Sequence, residues 1–349
     1  MSRNPKVSVL IPTYNYARYL SEAIDSVLEQ HCTDFEVIVS DDASTDESAD
    51  ILQACALRDP RIRLTLQRQN LGMVANWNWC LHQARGEYVK FVFGDDRLAG
   101  RDALGRYVAM LENNPGAVMA ASARLVLDEE SLVSDVWSEL GAAGVRSGRA
   151  TIARALWADR NIIGEPTAVL FRRSAAMRGF DEGLRQVVDL EMWFHLLMQG
   201  DLVFEPEPLC CFRRHSLQQT AANRASLVGP SECLVATVRY LDVLANDPEA
   251  GRHPVALKRI CHRRLYYSRK HGPRTAEMLR LEKILGARVP GAWGPLLYFW
   301  HRLTKPFANL ARKTSLWTKP PRKYPQGLTV DEFRAAWTDF QWKEESPRF

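Results

Sequence analysis

The chain of 349 residues lacks several patterns that would settle its class at once. It has no GxGxxG and no GxxxxGK[ST], which argues against dinucleotide binding and against a P-loop. Its seven cysteines are scattered, odd in number and without a CxxC pair; only Cys210-Cys211 are adjacent, inside an apolar run. That pattern points to reduced, buried thiols and away from a disulfide framework or zinc site. No apolar stretch approaches the length that crosses a bilayer. The first residues lead into strand-like sequence without an h-region or cleavage site, so no secretory signal and a cytoplasmic location are expected. Neither an internal repeat nor a low-complexity segment is present.

Negative charge is scarce in one region only. From Arg252 to Lys323 there are 18 Lys and Arg against two acids, Glu277 and Glu282. That is +16 in a chain whose total is +5, leaving −11 for the rest. Within it, Gly291 to Trp300 is apolar and aromatic, and the cations from His301 to Lys323 interleave with Phe307, Leu310, Leu316 and Trp317. Such a segment suits an anionic membrane surface, at the inner face of the cytoplasmic membrane; the plainer alternative is a helical tail packed on the rest of the chain. No RNA-binding motif accompanies the charge, so nucleic acid is not an expected partner.

The first 115 residues alternate strand and helix. Val7–Ile11, Phe35–Val39, Arg63–Gln67 and Tyr88–Phe93 read as strands. Helices follow from Tyr16 to Gln30, from Ser44-Thr45-Asp46-Glu47 to Arg58, and from Asn70-Leu71-Gly72 to Arg85. In the first helix Tyr19, Leu20, Ala23, Ile24, Val27 and Leu28 share one face. This order predicts an α/β fold with a mostly parallel, doubly wound sheet. After Pro115 the pattern loosens. A long strand is expected from Ala117 to Leu127, a mobile loop from Ala142 to Arg149, a strand from Ala168 to Arg172 and a helix from Val187 to Gln199. Two edge-like strands follow, Leu202–Glu205 and Leu209–Arg213, and then basic helices from about Ala225.

Four segments fall at strand ends on one edge of such a sheet: Pro12-Thr13-Tyr14-Asn15, Asp41-Asp42, Asn70-Leu71-Gly72 and Asp95-Asp96. Adjacent carboxylates after a buried strand are costly to ionise together without a cation, which points to a divalent metal holding a phosphate-bearing substrate. A simple Gly-Asp-Asp turn is the alternative. Helix N-termini there can receive phosphate, and Asp41 can accept hydrogen bonds from a base or ribose. Asp46 reads as a helix-start residue, and Trp77 and Trp79 as packing.

These segments, with Val7 to Asn15, Ser40 to Asp46, Phe93-Gly94-Asp95-Asp96, Gly179 to Glu182, Asp189 to Trp193 and Phe212-Arg213-Arg214-His215, resemble family 2 glycosyltransferases over roughly residues 5–220. The resemblance implies a GT-A, Rossmann-like fold over residues 1–224, with a nucleotide-binding half to residue 115 and an acceptor-binding half after it. A helical, basic C-terminal region would follow from 225 to 349. It implies a nucleotide-diphospho-sugar donor, a UDP-sugar by family habit, and Mn²⁺ or Mg²⁺. The acceptor would be a glycan or a lipid-linked one, and transfer would invert the anomeric centre. Residue by residue, Pro12, Thr13, Tyr14, Asn15, Asp41, Asn70 and Gly72 match the nucleotide pocket. Asp96 matches the metal ligand, and Asp95 the ribose or diphosphate partner and a possible second ligand. Asp189 matches the catalytic base. The family often carries an acid before that base, where this chain has Val188; Glu191 is the alternative base. His215 could join the metal or be structural. A nucleotidyltransferase and an inactive scaffold recruiting partners through its basic tail are the competing readings. The first would need a Gly- and Lys/Arg-rich loop where Pro12 to Asn15 stands.

Overall fold

The computed structural model describes residues 4–216, 218, 229–246, 254–272, 275–287 and 326–337. Four parallel strands form its first half: β1 (Val7–Thr13), β2 (Phe35–Asp41), β3 (Ile62–Leu66) and β4 (Tyr88–Phe91). They are linked by α1 (Ala17–Leu28), α2 (Ser48–Arg58) and α3 (Met73–Gln83). Every residue of β1 and β2 is buried, as expected of strands covered on both faces. Leu10 and Ile38 join one core with Trp77 and Trp193, while Val9, Ile11 and Val37 join another with Leu20, Ile24 and Leu104. The apolar stripe of α1 is buried from Tyr19 to Val27.

The second half adds β5 (Arg97–Leu98), α4 (Ala103–Glu112), β6 (Ala117–Leu127), β7 (Val133–Trp137), β8 (Gly144–Arg146), α5 (Gly148–Ala158), β9 (Val169–Arg172), α6 (Val188–Leu197) and β10 (Asp201–Arg213). The sheet runs β3-β2-β1-β4-β9-β6-β10-β5, with β7 on β6 and β8 on β10. β9 is antiparallel to both β4 and β6, and β6 is parallel to β10.

Two expectations change here. Residues 142–149, read as a mobile loop, contain β8, which pairs with Leu202–Phe204, and the start of α5, where Gly148 N–H donates to Asp201 at 3.1 Å. Gly and Ser suggested flexibility, but tertiary pairing orders the segment. The two edge-like strands are one interior strand, β10, whose register shifts between Glu205 and Cys210. Pro206 and Pro208 lack N–H groups, so the ladder is interrupted there while the strand continues.

The C-terminal region contains α7 (Gly229–Arg239), α8 (Leu241–Ala245), α9 (Pro254–His271), α10 (Ala276–Gly286) and α11 (Val330–Trp337). Leu234, Leu241, Cys261, Leu265, Met278 and Leu285 form a small core of their own. Arg263 and Arg264 pair with Asp159, and Arg269 with Glu282, so part of the basic region is used in packing. The aromatic and basic stretch from 291 to 323 lies outside the described residues. Among those described, no helix is long and apolar enough to cross a membrane.

Beyond that stretch the chain is again on the sheet. Leu328 bridges to Val133, Arg334 reaches Asp102 at 2.7 Å, and Val330 and Phe333 pack on Leu125, Leu127, Val136 and Cys211. Phe333 is fully buried. Phe333→Ala is expected to cost about 3 kcal/mol and to lower the midpoint in thermal unfolding.

Candidate active site

The parallel register places Thr13 beside Asp41 and Leu10 beside Phe91, so the chain beyond each strand emerges on one edge. Short hydrogen bonds knit these ends together. Asp41 accepts from the Ser44 N–H and hydroxyl, and Ser44 Oγ accepts the Asn15 N–H at 2.9 Å. Asn15 Oδ1 accepts the Thr45 N–H at 2.8 Å. Asp42 accepts the N–H groups of Leu71 at 2.6 Å and Gly72 at 3.0 Å, while Asn70 Nδ2 donates to the Asp42 carbonyl. Gly72, at φ +88°, makes the turn that opens α3. Asp46 accepts from the N–H groups of Ala17 and Ser48, at the starts of both flanking helices. Pro12 and Thr13 are interior, whereas Tyr14 is exposed.

The next group surrounds the two adjacent carboxylates. Gly94 lies so close to β1 and α1 that a Cβ would meet Thr13 Oγ1 at 2.7 Å and Tyr16 at 3.2 Å. Asp96 is buried, with one oxygen accepting the Thr167 hydroxyl at 2.6 Å and the other the Arg213 N–H at 3.0 Å. Burial, and then the Asp95 charge, hold its carboxyl well above the usual range. Asp95 Oδ2 lies 3.1 Å from His215 Nε2, and the His215 ring is flanked by Tyr16 and Tyr19. Burial and the carboxylates of Asp95 and Asp96 keep the Tyr16 phenol protonated. The structure therefore pairs Asp95, more than Asp96, with His215. At 3.1 Å the two side chains are at hydrogen-bonding distance, and Asp95 supplies a carboxylate of the kind that Mg²⁺ and Mn²⁺ take. Among the described residues no group of three or more His, Cys, Asp and Glu could hold a metal by itself.

Asp189 stands in the first turn of α6. Its carboxylate accepts the Leu190 N–H at 2.7 Å and Asn161 Nδ2 at 2.9 Å. Burial outweighs these bonds, and with the nearby Glu165 charge it pushes the Asp189 pKa up to about 7. Glu191 is situated differently: fully buried, it takes two bonds from Arg178 at 3.0 and 2.6 Å, one from Arg239 at 3.1 Å and one from Tyr240 at 3.2 Å. It ties α6 to the helical region. The loop before α6 is held from the same side, where buried Glu232 of α7 accepts the N–H groups of Arg185, Gln186 and Val187.

The sequence placed Asp42 on this edge and Arg213 in a motif without giving either a role, and it offered no sign of Asn161, Thr167 or Glu232. Those three have partners far away in the chain and leave no local pattern.

The family model described as glycosyl transferase family 2 matches residues 8–180. A putative glycosyltransferase of Bacillus subtilis, EpsE, is 30% identical over 224 residues, 63% of this chain and 72% of that one. The chain belongs to glycosyl transferase family 2. An uncharacterized Mycobacterium tuberculosis protein is 34% identical over 221 residues, 61% of this chain and 68% of that one. Among solved structures, S. aureus TarS in complex with UDP-GlcNAc aligns with a TM-score of 0.61 at 18% identity, over 97% of this chain and 93% of that one. The fold is thus the GT-A fold expected. Family membership also removes the nucleotidyltransferase reading.

Two pH effects of opposite sign follow for Asp189. A base must be ionised, so kcat/KM for transfer should fall as pH drops through about 7, and Asn161→Ala should move that limb upward. For stability, a raised folded pKa favours the neutral form. Wild type should therefore lose stability relative to Asp189→Asn as pH rises from about 4 to about 7, read in denaturant melts across that range.

Proposed function

We propose that this glycosyltransferase moves a sugar from a nucleoside-diphospho-sugar to an acceptor hydroxyl with inversion. The observation carrying the proposal is the pairing of two unlike centres. Asp95 and His215 form a carboxylate–imidazole pair 3.1 Å apart, and Asp189 has a pKa near neutrality. The turn from Asn161 to Ala168 links them, through Asn161 to Asp189 and through Thr167 to Asp96. In this reading the edge around Asp41, Asn70, Gly72 and Tyr14 receives the nucleoside. Asp189 takes the acceptor hydroxyl proton as the acceptor oxygen bonds to C1. The C1–oxygen bond to the diphosphate breaks, and its electron pair leaves with the diphosphate. Asp95 and His215, with Asp96 behind them, would hold Mg²⁺ or Mn²⁺, which as a Lewis acid would take up charge on the leaving group.

Glu191 is a poor base, because both its oxygens are committed to buried ion pairs. A UDP-sugar is the favoured donor, a choice supported by the UDP-GlcNAc complex of TarS. We place the reaction in assembly of a bacterial-type cell-surface polysaccharide or glycolipid, with a glycan or lipid-linked acceptor. It would occur in the cytoplasm or at the inner face of the cytoplasmic membrane, with the basic region 252–323 meeting anionic lipid. The scaffold reading is disfavoured by the intact carboxylates.

Calorimetric titration with UDP, GDP, dTDP and CMP, with and without Mn²⁺, tests the donor site. One nucleotide is expected to bind in a metal-dependent manner; binding of none would overturn the proposal. Asp189→Asn should retain that binding and lose transfer by roughly 10²–10⁴-fold. Asp95→Asn and His215→Ala should each weaken the metal-dependent part of binding, read in the same titrations.

A further inference from the structure

One carboxylate at this site has no role in the chemistry above. Glu165 lies in the turn that bonds to the two centres, and that turn is anchored on both sides of it. The Gly164 carbonyl accepts from Asn161 Nδ2 and Trp193 Nε1, each at 2.9 Å, and Asn161 also holds Asp189. On the other side, Thr167 donates to Asp96. The turn is fixed from beneath: fully buried Lys90 donates to the carbonyls of Thr167 and Val169, and the Tyr107 hydroxyl donates to that of Ala168 at 3.1 Å. The Glu165 charge bears on both Asp96 and Asp189.

Its side chain is partly open, at 23% exposed. Arg124, 3% exposed, forms an ion pair through Nε with Glu165 Oε2 at 2.5 Å. Arg124 also contacts Glu139 at 3.3 Å and the face of Trp137. Oε2 is thus buried and committed to Arg124, and the partly exposed carboxylate keeps Oε1 to accept. The turn bonds to both centres, so a group passing from a diphosphate at Asp95 to an acceptor at Asp189 would pass beside it. An ionised carboxylate accepts hydrogen bonds only, and hydroxyls are suitable donors to it. A carboxylate on the transferred group would add negative charge beside Asp95 and Glu165.

We propose that Glu165 is a specificity residue for the transferred sugar, accepting hydrogen bonds from its hydroxyls, and that the sugar is uncharged rather than a uronic acid. This rests on the donor-site reading above.

The test compares bare nucleotides with their sugar forms by calorimetry in Mn²⁺: UDP, UDP-glucose, UDP-N-acetylglucosamine and UDP-glucuronic acid, with GDP and GDP-mannose. Wild type should bind a neutral sugar nucleotide more tightly than the glucuronic acid form. Glu165→Gln and Glu165→Ala should leave affinity for the bare nucleotide unchanged, which also reports a folded site. They should weaken the neutral sugar nucleotide roughly tenfold or more. Glu165→Gln should also narrow the gap to the glucuronic acid form. Bare-nucleotide binding with an unchanged sugar-to-nucleotide ratio in both variants overturns this inference alone. Tighter binding of the glucuronic acid form by wild type overturns the uncharged-sugar part. Absence of any nucleotide binding by wild type overturns the donor-site reading and this inference with it.

Discussion

Arg213 carries a full charge with no exposed surface, and such a charge persists only where it is paired and hydrogen-bonded. Its partners come from separate parts of the chain. The backbone N–H goes to Asp96, Nε to the Asp95 carbonyl, Nη1 to Ser131 and the Asp128 carbonyl, and Nη2 to Glu22 at 2.7 Å. Its plane lies over the Tyr19 ring at 4.4 Å. One side chain at the end of β10 thereby joins α1, the β6–β7 turn and the chain after β4. The position of His215, two residues later, follows from that anchorage, and so does its approach to Asp95. Losing a partner of a buried charge costs about 3–5 kcal/mol, so these segments are held in one arrangement.

Asp189 depends on a second set of supports, and much of it lies outside the region that the family model matches. Glu232 holds the three N–H groups before α6, and Arg239 with Tyr240 engages Glu191 two residues beyond the base. The helical region therefore fixes the helix that carries Asp189. The neighbouring turn from Asn161 to Ala168 does similar work from the sheet side, through Asn161 and, beneath it, Lys90 and Tyr107. Fixed positions matter because a proton acceptor has to be aligned with the reacting hydroxyl before transfer begins.

The first half was legible for a simple reason. Strands buried on both faces are near-continuous apolar runs, and β1, β2 and β4 carry turn residues and carboxylates directly after them. The stripe of α1 was likewise visible as a helical period. The second half was read less well where composition and pairing disagreed. The prolines made β10 resemble two strands, and the glycines made β8 resemble a loop. Among site residues, Asp95, Asp96 and Asp189 stood out by motif, but local sequence could not rank Asp189 against Glu191. That distinction needed Arg178, Arg239 and Tyr240, which occupy one carboxylate and leave the other.

By itself, the sequence determined the alternation of parallel strands and helices, the edge on which the acidic turns gather and the family to which they belong. Those follow from hydrophobic periodicity and short-range turn chemistry, which are properties of neighbouring residues. Only the tertiary structure decided that His215 meets Asp95, that Thr167 meets Asp96, and that Asn161 meets Asp189. Asp95 and His215 are 120 residues apart, and Thr167 and Asp96 are 71 apart. No local propensity encodes such pairs: the folded sheet brings them together, and the cost of burying unpaired charge fixes which partners meet.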